Sequence, residues 1–246
     1  MKYKRAIISF CHAAVIVCIL TAGFSGCISK QKPDEVLYKT AVKDAMIAEP
    51  AEIFPLVCIS EDDPLVSWKD GKVLMLTLHK YPDFYAEGKD VRLSFGNSWT
   101  FTDREIEAWY KKNRQDEDGW QHRIKQLLGI APSQNHTHVS AFWTDPHDIC
   151  RPAYQSDATK QLSPEDLDGS ALGELSDWFC SNIISSYYIG STNYPWTRLG
   201  YTYDWAGGKT EYGVTEFLVK KDAVVTVEFT KSLSEFRTWL EETVSR

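Results

Sequence analysis

Leu65-Val66-Ser67-Trp68-Lys69-Asp70-Gly71-Lys72-Val73-Leu74-Met75-Leu76-Thr77-Leu78-His79-Lys80 decides the fold. Asp70-Gly71 is a hairpin signal, because both residue types tolerate the positive φ that a tight two-residue turn needs. It joins a strand over 65–68 to one over 73–80. The second strand is apolar at consecutive positions rather than alternate ones. Both of its faces are therefore expected to be buried, which puts it in the middle of a sheet with material packed on each side.

Outward from this hairpin, the chain reads as α+β, with a mainly antiparallel sheet and packed helices. Val91, Leu93 and Phe95 alternate in a further strand, and 98–101 forms another. Thr102-Asp103-Arg104-Glu105 has capping-box spacing and opens a helix with Ile106, Trp109 and Tyr110 inward. Asp118-Gly119 interrupts it, and Gly129 suits the left-handed position after a helix C-terminus. Val139, Ala141 and Trp143 alternate in a strand. The stretch 145–168, rich in Pro and Asp, reads as a loop, and 170–188 as a helix. Strands are expected over 199–205, 212–220 and 223–230. A last helix is capped by Ser232 or Ser234 and buries Phe236, Trp239 and Leu240. Before the hairpin, 34–48 forms a helix with Val36, Leu37, Ala41, Val42, Ala45 and Met46 on one stripe.

The chain has 246 residues, 43% hydrophobic and 25% charged, with a formal charge of −7. These are globular values. A chain of this size buries roughly 70–75% of its unfolded surface, so a core forms without many disulfides. The acidic balance argues against nucleic-acid binding. No repeat or long linker divides residues 34–246, which read as a single domain.

Lys2, Lys4 and Arg5 precede an apolar run over 6–22, which ends in Gly23-Phe24-Ser25-Gly26-Cys27. A basic start, a short apolar middle and a small-residue exit describe a secretory signal. Ser25-Gly26-Cys27 resembles the lipobox of bacterial lipoproteins. That resemblance implies a signal peptide over 1–26, lipidation of Cys27 and a tether over 27–33. The alternative is an uncleaved anchor helix. Removing 1–26 takes away three basic residues and no acidic one, which moves the charge to −10. Membrane attachment then rests on acyl chains rather than on attraction to anionic lipid. Ile28 rather than Asp follows the cysteine, which the same resemblance reads as outer-membrane location in a Gram-negative envelope.

Candidate chemistry lies in three places. His136 and His138 share one face of an extended segment. With His147 and nearby Asp145 and Asp148 they are the best candidate zinc ligands, the basis of a metal-dependent hydrolase reading. The alternative is solvated loop histidines. Cys150 and Cys180 are a candidate disulfide across the long loop, with Cys58 a buried thiol. Tyr194 to Trp205 is dense in rings. If extended, Tyr201, Tyr203 and Trp205 share a face able to stack a ligand beside Trp196, with Arg198 and Asp204 at its rim. The competing reading is that these rings are core. No nucleophile elbow, phosphate loop or dinucleotide fingerprint is present.

The aromatic block, with Leu127-Leu128-Gly129, Arg151-Pro152-Ala153-Tyr154 and Tyr212-Gly213-Val214-Thr215-Glu216-Phe217, resembles bacterial envelope proteins to which no activity is attached. The expectation is a lipid-anchored envelope protein with a binding or scaffolding role and no cofactor. The alternatives are the zinc hydrolase and an immunity-type lipoprotein whose acidic surface meets a protein partner.

Overall fold

The computed structural model describes residues 33–245 except 116 and 191–192. The signal, Cys27 and the tether before Pro33 lie outside the described residues. Those residues form one compact α+β domain.

An eight-stranded antiparallel sheet is its centre. Its strands are β1 (Trp68–Lys69), β2 (Lys72–His79), β3 (Asp90–Arg92), β4 (Ser98–Thr102), β5 (His138–Thr144), β6 (Ile149–Cys150), β9 (Phe217–Val219) and β10 (Val224–Ser232). They run in the order β3-β10-β5-β2-β4-β9-β6, with β1 beside the start of β2. The Asp70-Gly71 hairpin forms as read, with φ of 51° and 73°, although β1 is shorter than the sequence suggests. β7 (Tyr201–Tyr203) and β8 (Tyr212–Thr215) make a separate ribbon.

β2 is covered on both sides. Leu74 and Leu76 pack with Val139, Ala141 and Phe229 beneath three helices, α2 (Asp103–Lys112), α3 (Glu117–Leu127) and α5 (Leu233–Val244). Val73 and Met75 pack with Phe142, Val225 and Val227 beneath irregular chain carrying Val57, Ile59, Val66 and Tyr85. A bulge between Val227 and Phe229 flips the side-chain parity of β10, so one strand serves both layers.

Helix ends show which local signals acted. α3 closes in a Schellman motif: the Ile130 N–H donates to the Lys125 carbonyl at 2.9 Å, and Gly129 has φ of 66°. The Ser232–Glu235 capping box forms at the start of α5. The Thr102–Glu105 box does not, because Glu105 turns inward to other donors. The break between α2 and α3 lies before Glu117, so Asp118-Gly119 sits within the first turn of α3.

Other expectations need correction. In α1 (Pro33–Asp44) the buried stripe is Tyr38, Ala41 and Val42, continuing to Ala45, while Val36 and Leu37 are exposed. Residues 212–220 are not one strand. β8 pairs with β7 and β9 with β4 and β6, so the chain changes sheets at Glu216. The long loop contributes β6, and the helix after it, α4, covers Ser176–Tyr187.

Candidate functional site

β2 and β4 pair through only two positions, Met75 with Thr102 and Leu76 with Phe101. Continuing that register would join Thr77 to Thr100 and Leu78 to Trp99, but there the strands diverge and β4 pairs with β9 instead. A groove of about 1950 Å³ opens at this divergence. Its lining includes Thr77 and His79 from β2, Ser98, Trp99 and Thr100 from β4, and Tyr38 from α1. The turn after α3, the segment around Tyr194 and Trp196, Tyr203 and Glu216 also line it, as do residues 80–85 and the lysines Lys39 and Lys43.

Aromatic rings make much of the wall. Trp99 lies 5.8 Å from Tyr194, 5.9 Å from Trp178 and 6.4 Å from Trp196, centroid to centroid. Trp196 packs on Phe179 at 4.8 Å, and its indole N–H donates to the Pro152 carbonyl. The Tyr38 hydroxyl donates to the Asn193 carbonyl at 3.2 Å. Trp99, Tyr194 and Tyr203 are half-buried, so their rings remain partly open.

Glu216 is the unusual group in this groove. It is 6% exposed, and its Oε1 is buried without a hydrogen-bond partner. Burial pushes its carboxyl well above the usual carboxylate range, with no cationic side chain acting against that shift. Its sequence signal is a lone acid inside Tyr212-Gly213-Val214-Thr215-Glu216-Phe217-Leu218-Val219.

The aromatic stretch behaves mainly as core. Tyr201 and Trp205 are 0% and 2% exposed. They do not share a strand face, because β7 ends at Tyr203 and Trp205 lies beyond it. Tyr201 packs with Leu56, Leu162 and Leu199, whereas Trp205 packs with Tyr38. Arg198 is buried, donating to the Ala45 carbonyl and the Tyr154 hydroxyl. Asp204 is held by the Arg123 guanidinium through both oxygens. Trp196 and Tyr203 line the groove; Arg198, Tyr201, Asp204 and Trp205 do not.

The histidines divide. β5 carries His138 at its start, and His147 lies beyond its end, where an exposed ring bonds Asp145 at 2.8 Å. A seven-residue strand advances about 3.3 Å per residue, so it holds the two apart. His136 and His138 instead neighbour His79. Among the described residues no group of three or more His, Cys, Asp or Glu side chains is placed to hold a metal ion. His79 accepts from the Tyr81 N–H through Nδ1, which leaves a proton on Nε2 for Ser140 Oγ at 2.7 Å. Cys58, Cys150 and Cys180 are free thiols, Cys180 exposed on α4 and Cys150 on β6, so the expected Cys150–Cys180 bridge is not formed.

No helix among the described residues is long and apolar enough to cross a membrane. No protein-family model, curated protein or solved structure matches the chain.

Proposed function

We propose that the chain is a lipid-anchored cell-envelope protein whose domain binds a ligand in the groove between β2 and β4. The observation that carries the binding reading is the groove itself: its lining combines partly exposed aromatic rings with an acid whose Oε1 has no hydrogen-bond partner. Concave, mostly apolar sites with a few fixed polar groups are the usual form of a small-molecule site. The anchor rests on Ser25-Gly26-Cys27 and the apolar run before it. With acyl chains on Cys27, the groove would work at a membrane surface, on the outer membrane in a Gram-negative host.

Two measurements test this reading. Native mass spectrometry of the mature protein purified from its own envelope should show a retained small molecule, lost in Trp99→Ala. A wild-type protein with no added mass, indistinguishable from the variant, overturns the binding role. Cys27→Ala should accumulate as an uncleaved precursor without lipid. The same mature N-terminus in variant and wild type overturns the anchor.

A further inference from the structure

Glu216 occupies the corner where the chain leaves the β7–β8 ribbon and enters the main sheet. Its backbone is committed, with the N–H donating to the Gly200 carbonyl at 3.0 Å. Its carboxyl is not, since Oε1 has neither a hydrogen-bond donor nor a cation. Another buried acid shows what satisfaction looks like: Glu105 accepts from the Tyr212 hydroxyl, the Thr215 N–H and the Thr215 hydroxyl. A carboxyl left without such partners costs stability. Glu216 bears that cost on the lining of the groove.

The surroundings select the missing partner. Trp99, Tyr194 and Tyr203 line the same groove with half-buried rings. Ring faces are electron-rich and attract cations lying within about 6 Å. A carboxyl without a donor and partly exposed rings on one groove lining are the two kinds of group that an ammonium site needs. A carbohydrate would stack on these rings but bring no counter-charge to the acid. An anionic ligand would meet a like charge once the acid ionised.

Resting on the groove as a binding site, we propose that its ligand is an organic ammonium ion on an apolar body, with Glu216 as counter-charge and Trp99, Tyr194 and Tyr203 as ring walls. The groove volume is ample for an amine carrying a chain of several carbons.

Three probes of one length test this: octylammonium, 1-octanol and octanoate, titrated into the mature protein and followed by tryptophan fluorescence and calorimetry. Octylammonium is expected to bind about tenfold or more tighter than octanol, and octanoate weaker than both. Glu216→Gln is expected to bring octylammonium down to the octanol level and leave octanol unchanged. Equal affinity of wild-type protein for amine and alcohol overturns the ammonium assignment while keeping the groove as a site, and needs no variant. An unchanged amine affinity in Glu216→Gln overturns the role of Glu216. Failure of all three probes, together with an empty groove in protein from the native envelope, overturns the binding reading as well.

Discussion

The Tyr212 hydroxyl donates to the Glu105 carboxyl at 2.8 Å, tying β8 to the first turn of α2. Glu105 also accepts from Thr215 twice, through its N–H at 2.9 Å and its hydroxyl at 3.1 Å. These bonds partly offset burial, which still pushes the carboxyl from 4.5 up to about 7. The folded state therefore keeps a proton that the unfolded chain has released. Such a contribution is full below about pH 4.5 and is lost as pH rises through about 7. Glu105→Gln removes the titration and turns an amide N–H₂ toward donors. The wild-type advantage over this variant should shrink by about 3 kcal/mol between pH 4.5 and 7.5. Urea unfolding across that range checks it, and parallel curves for the two proteins would contradict it. Tyr212→Phe should cost about 1–2 kcal/mol at pH 5.

Two glycines separate close approach from conformation. A Cβ on Gly213 would overlap the Leu127 carbonyl and both oxygens of Thr202. These are mostly backbone atoms that cannot swing aside, so Gly213→Ala should cost about 3 kcal/mol. Gly71, at the tip of the β1–β2 hairpin, has φ of 73° but open space around it. Gly71→Ala should cost about 1 kcal/mol, the strain of the left-handed conformation alone. Denaturation midpoints of the two variants rank them, and the reverse order would refute the packing argument.

Local signals were legible wherever their cause was local. Asp70-Gly71 and Gly129 need a particular φ, and the residue type announces it. The apolar run of β2 announces burial on both faces. Signals that depend on distant chain were not legible. Thr102–Glu105 had the spacing of a capping box, but Glu105 meets Tyr212, 107 residues away, and that partner wins. The alternation of Tyr201, Tyr203 and Trp205 assumed an unbroken strand, but β7 ends at Tyr203 and leaves Trp205 outside it. The groove arises from the divergence of β2 and β4, a property of the pairing rather than of either segment. Of the sequence candidates only Trp196, Tyr203 and His136 line it.

Thiol reactivity should report the topology around α4. Cys180 is exposed, whereas burial pushes the Cys150 thiol up to about 11 and withholds the thiolate. In the folded mature protein a maleimide should label Cys180 rapidly and Cys150 only on unfolding. Peptide masses should be the same with and without prior reduction. A Cys150–Cys180 linked peptide would restore the bridge that the fold does not make.

His79 and Ser140 give the sharpest test of whether this fold contains a hidden hydrolase. They lie 2.7 Å apart, a distance at which a histidine base activates a serine. Proton direction forbids it. The Tyr81 N–H occupies His79 Nδ1, so Nε2 carries the proton and donates to Ser140. The Thr230 hydroxyl donates to the Tyr85 carbonyl, so its oxygen receives the Ser140 proton at 2.6 Å. The relay runs one way, from backbone N–H to backbone C=O, and Ser140 is fully buried within it. Burial, with His138 and His136 adding to it, pulls His79 down to about 4. Its neutral ring therefore favours the folded state above about pH 6.5, and that contribution is lost as pH falls toward 4. This is opposite in sign to Glu105, so each is read against its own variant. Nitrogen-15 spectra should show His79 protonated at Nε2 and titrating near 4. Ser140→Ala should cost about 1–3 kcal/mol by stranding the His79 donor and the Thr230 oxygen. A fluorophosphonate should leave Ser140 unmodified. A covalent adduct there, or a neutral His79 ring protonated at Nδ1 instead, would mean that the relay runs the other way.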